Sequence, residues 1–497
     1  MRDCAVGIDI GTTAVKSIVY SARGEILFEK AVPHDLISKE PGYAEEDPTT
    51  WWQSVSLLLS SIQRDTDTAR IAGLCFSGMV PTVILLDDAG TPIRPSIQQN
   101  DARAVAEIAE WKAAVDEDDY FRRTGNTVNQ QVVFPTFDWL RRNEPENVER
   151  AATVLGSYNY ATFKATGVRT LDTNWALESG YWLVREQQWD HDTIERSGIR
   201  SDRLPPVYDS AEIVGSTTEE LQRETGFPAG IPVLAGIADH VASALSTGVR
   251  SEGDLLLKLG GAGDILFATD DLRLDRRLFI DYHPVPGTYL INGCMAAGGS
   301  VVKWLMQLFE TDDFDRLTDE AELLPPGSDD LVVLPYFLGE KTPIFDTNAR
   351  GVFFGLNLGH TRAHLFRSVL ESVAFAYYHH LEVLQEIGFD VRRVFLSNGG
   401  ARSRLWKQIV LDVVGHDGVY VPDHPGSCIG AAMLALESTG VSRDWESLRR
   451  FLDRGVAIPF TDGNHRRYRE YYKVYRELYE NLKPLFPRLP GTAGREG

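Results

Sequence analysis

The 497-residue chain has 71 Asp and Glu against 50 Lys and Arg, a formal charge of −21. No basic cluster interrupts that acidic background, which argues against nucleic acid and anionic membrane as main partners, since both need a positive footprint. A composition of 43% hydrophobic and 24% charged residues, with no low-complexity tract, excludes disorder and leaves room for two to four domains.

The first predicted element is the apolar run Val6 to Ile10, which meets Gly11-Thr12-Thr13 and is followed by Val15, Ile18 and Val19. Both flanks are β-branched, so the pattern predicts strand–turn–strand with Asp9 near the tip. "GEILFEKAV" predicts a third strand after the Arg23-Gly24 turn. Glu45, Glu46 and Asp47 read as a solvated acidic loop, with Asp47 capping a helix that begins at Pro48. "IAGLCFSG" and "TVILLDDAG" predict two short buried strands, and "DARAVAEIAEWKAAV" a further helix.

Residues from about 120 to 230 are less regular and rich in aromatics and turns. "IPVLAGIADHVASALSTG" then predicts a strand running into a small-residue helix. "GDLLLKLGGAGDILFATDD" repeats the opening layout of strand, glycine-bearing turn and strand, which points to a duplicated α/β architecture. Further on come a long helix, a strand ending in Gly399-Gly400, a helix from near Ser403 and the small-residue helix of "GSCIGAAMLALESTG". The tail "HRRYREYYKVYRELYENL" predicts a surface helix whose tyrosines pack inward while its charges stay solvated. The domain boundary falls between residues 245 and 252, giving domains 1–247 and 248–490. Cys4, Cys75, Cys294 and Cys428 are far apart and lack metal-ligand spacing, so they read as four buried thiols of a reducing compartment. With no membrane-length apolar run and no signal-peptide core, the expected location is the cytoplasm.

The segments "GIDIGTT", "PGYAEEDPTTWW", "GIADHVASAL", "FLGEKTPIFDTNARGVFFGLNLGHTRAHLFRSVLES" and "NGGARSRLW" occur in the order and at the spacing of one family. From Gly351 to Glu371 the chain fits that family's second signature, with Phe353, Gly355, His364, Leu365, Ser368 and Glu371 at constrained positions. The first signature fits less well, since Thr136 stands where the family places lysine. The chain thus resembles the FGGY carbohydrate kinases, in their xylulokinase-like layout. The resemblance implies two actin-like, ribonuclease-H-like α/β domains with an active-site cleft between them. It also implies ATP and Mg2+ as cofactors and a homodimer by analogy.

Asp239 matches the family's general base toward a sugar hydroxyl; on local pattern alone it reads as an N-cap. Asp9 matches the carboxylate near the magnesium, and a hard cation prefers oxygen ligands. Gly11, Thr12 and Thr13 match a phosphate-binding turn, with Lys16 adding positive charge. Gly260 and Gly261 match the second such turn, although the family commonly has threonine at Gly261. Gly399, Gly400 and Ser403 match the adenosine-binding loop. The sugar-binding position is taken by Met79, Val80 and Pro81, with Gln99 where relatives have tryptophan and with Asp239 itself. Val80 and Pro81 replace a Met-His pair of xylulokinases and offer no side-chain hydrogen bond.

The expected substrate is therefore a small keto-sugar or polyol of the pentulose type, D-xylulose among the candidates. Two other readings follow from the same residues. One is a degenerate kinase that senses sugar, motivated by Gly261 and the altered pocket. The other is a nucleotide-driven conformational protein like actin, which shares the core fold.

Overall fold

The computed structural model describes residues 2–35, 37, 40, 42–442 and 445–489, with 445 and 446 as backbone alone. Pro41 of the "PGYAEEDP" stretch and residue 490, the end of the second assigned domain, lie outside the described residues. The chain forms two compact units. The first comprises 1–248, 280–287 and 425–453; the second comprises 249–279, 288–424 and 454–497. The two contiguous domains drawn from sequence therefore differ from the compact units by two returning segments.

In the first unit, β1 (Cys4–Ile10) turns through Gly11 to Thr13 into antiparallel β2 (Ala14–Ser21), and β3 (Ile26–Pro33) pairs antiparallel to β2. β4 (Ile71–Gly78) lies parallel to β1 on the other side. β5 (Ile213–Ser216) and β6 (Pro232–Leu234) extend that edge, and β7 (Ile237–Ala238) also pairs with β4. Every residue of β1 and β4 is buried, as expected for central strands covered on both faces. "TVILLDDAG" forms only a three-residue strand, Ile84–Leu86, before its polar turn.

Glycines let the segment 425–453 return to the first unit. The helix Ser427–Ser438 packs on β1, and a Cβ at Gly7 would lie 1.9 Å from the Cys428 carbonyl oxygen. Gly430 of the same helix meets the helix Asp239–Thr247, where a Cβ would lie 2.0 Å from the Ala242 oxygen. The small residues of "GSCIGAAMLAL" thus let backbones touch, and the sequence distance between them hides the partnership. The second segment is fastened by Asn174, whose Nδ2 donates to the Tyr282 oxygen at 2.9 Å while its Oδ1 accepts from the Tyr282 N–H at 2.8 Å.

The second unit repeats the layout. β8 (Asp254–Leu259) turns into antiparallel β9 (Gly263–Thr269), and β10 (Tyr289–Met295) pairs antiparallel to β9. β11 (Arg393–Ser397) lies parallel to β8, followed by parallel β12 (Gly418–Tyr420) and antiparallel β13 (Val456–Ile458). The order β10–β9–β8–β11–β12 mirrors β3–β2–β1–β4–β6 of the first unit. The long helix Arg362–Glu386 is buried along most of its length. The tail helix Asp462–Leu482 buries Tyr468, Tyr472, Tyr475 and Tyr479 and leaves its other faces to solvent.

Candidate active site

Three adjacent parallel strands of the first unit end in register. Ile10 of β1 pairs with Gly78 of β4, and Gly78 pairs in turn with Ala238 of β7. The next residues are Gly11, Met79 and Asp239, so three of the sequence-predicted site segments leave the sheet side by side. Ligands of open α/β sheets gather at such carboxyl ends, where backbone groups and side chains converge without a covering helix.

Asp9 lies one register step back, opposite Ser77, whose hydroxyl donates to Asp9 Oδ1 at 2.5 Å. Burial, and then the charge of Asp239, push the Asp9 carboxyl above its ordinary range, while Ser77, Ser427 and Lys16 pull it down. Asp239 opens its helix as the first residue, with Ala238 in the cap position and no side-chain cap hydrogen bond. The N-cap expectation is therefore replaced by a carboxylate at the first position of the helix. Its side chain is 38% exposed, against 1% for nearby Asp281. Thr12 and Thr13 are exposed at the β1–β2 turn, which Gly11 closes by donating to the Ala14 oxygen at 3.1 Å. Lys16 is exposed and sits opposite Asp9 in the β1–β2 ladder.

Beside Asp239 lies a group that the sequence reading did not single out. His240 Nε2 is 3.0 Å from Asp281 Oδ2 and 3.7 Å from Glu178 Oε1, while its Nδ1 is 3.4 Å from Asp239 Oδ1. Burial opposes charging of His240, but Asp281, Asp239 and Glu178 outweigh it and hold the imidazole well above its ordinary pKa. Burial, reinforced by Asp281, raises the Glu178 carboxyl well above its usual range. Asp172, buried against Tyr158 and Asn159, is pushed up to about 6 by burial. The only available signals were His240 itself, within "GIADHVASAL", and Asp281, two residues before His283 in "DYHPV". His283 itself is buried and accepts from the Val285 N–H at 3.0 Å, a local structural contact.

Met79, Val80 and Pro81 are buried. The Ser157 hydroxyl donates to the Met79 oxygen at 2.7 Å, and the Trp175 indole donates to the Thr82 oxygen at 3.0 Å. Val83 exchanges backbone hydrogen bonds with Ile97, which brings Gln99 toward this segment. Gln99 is half-buried, and its Oε1 is buried without a hydrogen-bond partner among the described residues. The solvated-loop expectation for Glu45 and Glu46 is overturned, since both are buried. Glu45 pairs with Arg94 and Arg103, and Glu46 accepts from Trp51 Nε1; only Asp47 plays the expected capping role.

In the second unit, Gly261 is exposed between β8 and β9, and a Cβ there would have nothing within 4 Å. Gly260 is confined, since a Cβ on it would lie 2.9 Å from the Ala262 oxygen. Gly399 and Gly400 form a single 3-10 turn, and a Cβ at Gly400 would strike the Trp406 ring at 2.5 Å. Ser403 caps the helix Arg404–Val414 by accepting from the Trp406 N–H. Among the described residues no helix is long and apolar enough to cross a membrane.

Matched glycine turns and a strand-end carboxylate are what the family resemblance implies, and the comparisons show the family. The family model for the FGGY family of carbohydrate kinases, N-terminal domain, matches residues 4–246, and its C-terminal domain counterpart matches 275–438. The chain belongs to this family and is a sugar kinase. It is 28% identical over 488 residues to the xylulose kinase of Bacillus subtilis (strain 168), covering 97% of each chain. To the gluconokinase of the same organism it is 25% identical over 503 residues, covering 98% of each. The crystal structure of xylulose kinase from Rhodospirillum rubrum superposes with a TM-score of 0.91 at 40% identity, covering 97% of this chain and 99% of that one.

Proposed function

We propose that this sugar kinase transfers the terminal phosphoryl group of ATP to a hydroxyl of a pentulose-type sugar or polyol, with Asp239 as general base. The observation that carries the reading is the register that sets Asp239, a part-exposed carboxylate, beside Met79 and Gly11 at three adjoining strand ends. Phosphoryl transfer asks little covalent chemistry of a protein: an aligned alcohol, donors around the phosphates and an acceptor for the hydroxyl proton. Asp239 takes that proton as the sugar oxygen bonds to phosphorus and the bond to the ADP oxygen breaks. Thr12, Thr13 and the backbone N–H groups of their turn face phosphate oxygens, with Lys16 adding charge. Gly260, Gly261, Gly399, Gly400 and Ser403 hold ATP on the second unit.

Asp9 fits a magnesium ion. It is an oxygen donor whose ionised form is disfavoured by burial and by Asp239, a local excess of negative charge that a hard cation relieves. Magnesium bound there supplies charge neutralisation for the phosphates.

Asp239→Asn is expected to lower kcat by at least about a thousandfold, in the range of a lost proton acceptor and its positioning, while ATP affinity by calorimetry changes by less than about threefold. Retained turnover overturns the base assignment.

For the substrate, sites built around hydroxyl donors discriminate strongly and apolar ones weakly. Val80 and Pro81 therefore support a tolerant pocket in which Gln99 supplies the polar contact. A panel of pentuloses, tetruloses, pentitols and gluconate is expected to give the highest kcat/KM on a pentulose. Gluconate as the best substrate would replace the assignment.

A further inference from the structure

The group of Glu178, His240 and Asp281 is not used by the transfer step as described above. Its geometry has one notable property: both nitrogens of a single imidazole face carboxylates. Nδ1 looks toward Asp239 at 3.4 Å, and Nε2 toward Asp281 at 3.0 Å with Glu178 at 3.7 Å. Nε2 is within ion-pair distance of both carboxylates but makes no aligned hydrogen bond to either, so what ties the ring to Asp281 and Glu178 is charge, and that attraction requires the doubly protonated imidazolium.

The carboxylates around it are held in place. Asp281 is almost fully buried, on a segment fastened by the two Asn174 hydrogen bonds and by the Tyr282 hydroxyl donating to the Val184 oxygen at 2.6 Å. Glu178 ends the short helix Thr173–Glu178, whose Asp172 accepts from the Asn174 N–H. Among the described residues the neighbouring elements bring no opposing cation. β4 and β7 contain no charged residue, and the helix Ser427–Ser438 contains only Glu437, in its last turn. The remaining titratable groups felt here are Asp9 and Asp172, both acidic, and the Tyr158 phenol, which burial holds neutral as it donates to Asp172, with Lys16 acting on Asp9. A positive charge on His240 is therefore the local counterweight to several carboxylates.

We propose that His240 is a positioning residue for the transfer reaction: an imidazolium clasped by Asp281 and Glu178 that orients Asp239 and keeps it an ionised proton acceptor. This rests on the reading of Asp239 as the base. Removing the cation leaves Asp239 among like charges, which favours its protonated form.

The test is the pH dependence of kcat/KM for His240→Gln and His240→Asn. The acidic limb is expected to move up by about one pH unit, so that activity falls about fivefold at the wild-type midpoint, approaches a tenfold loss well below it and recovers at higher pH, while KM for ATP holds within about twofold. An even loss at all pH values overturns the proposal in favour of a structural role. The second measurement needs no active variant: in 15N-histidine-labelled wild type, the resonance lost in either variant is expected to show both ring nitrogens protonated at pH 8. A single-tautomer neutral ring overturns the proposal, as does a divalent metal retained through chelation, because a metal ligand must be unprotonated. An inactive Asp239→Asn enzyme with an unmoved limb in His240→Gln removes this inference alone. Turnover in Asp239→Asn removes the reading beneath it.

Discussion

Gly261 has open space where a side chain would go and lies outside the left-handed backbone region, so nothing in its surroundings demands glycine. Relatives with threonine there would add one hydroxyl to the turn. Gly261→Thr is expected to change thermal stability by less than about 0.5 kcal/mol, as for other unconstrained surface positions, and to lower KM for ATP in steady-state assays. Gly263, two residues on, is the contrasting case, since a Cβ there would meet Met295 at 2.1 Å. Glu340 carries a different kind of prediction. It is buried, accepts from the Ala296 and Lys341 N–H groups, and burial raises its pKa to about 8. The folded state thus holds a proton that the unfolded chain releases at lower pH. Its contribution is favourable below the unfolded value of 4.5 and is lost as pH rises toward 8. In denaturant melts, Glu340→Gln should gain on wild type between pH 5 and 8 by an amount on the order of a few kcal/mol, and the difference should flatten above that range. At this scale, the placement of Asp9 and Asp239 at strand ends was legible because each sits inside a contiguous motif. Asp281 was not, because its partners Glu178 and His240 lie far away in sequence and no local pattern joins them. Glu45 and Glu46 misled, because a run of acids looks solvated until Arg94 and Arg103 are folded against it.

Among the elements, the helix Ser427–Ser438 depends on small residues at the points where its backbone meets β1 and the Asp239–Thr247 helix. Gly430→Ala places a methyl 2.0 Å from the Ala242 oxygen, and a backbone carbonyl cannot rotate aside as a long side chain can. The expected cost is about 1–3 kcal/mol, read as a lowered Tm by calorimetry. Because Ala242 belongs to the helix that Asp239 opens, kcat is expected to fall as well. The periodicity of this helix was readable in the sequence, but its partner was not: alanine and glycine faces carry no label for what they touch. The tail helix was read more fully, because four tyrosines at helical spacing announce a buried stripe. Strands β1, β2, β8 and β9 were likewise legible, since β-branched and leucine-rich runs flank a glycine turn in each case.

Over the molecule as a whole, the repeated strand order was visible as a repeated layout, whereas the true extent of each unit was not. A single cut near residue 247 leaves the first unit without 280–287 and 425–453. A fragment of residues 1–248 is accordingly expected to bare the faces of β1 and of the Asp239–Thr247 helix. It should bind the dye ANS and lack a cooperative melt, while the full chain melts cooperatively and binds little dye. The late return of the Ser427–Ser438 helix also bears on biosynthesis. A ribosome making this protein releases residues 1–248 first yet withholds the last structural piece of that unit until residues 427–438 have emerged. For that interval the nascent chain carries an apolar groove waiting for its own distant segment, so its yield in a cell should depend on chaperone supply and on the pace of translation.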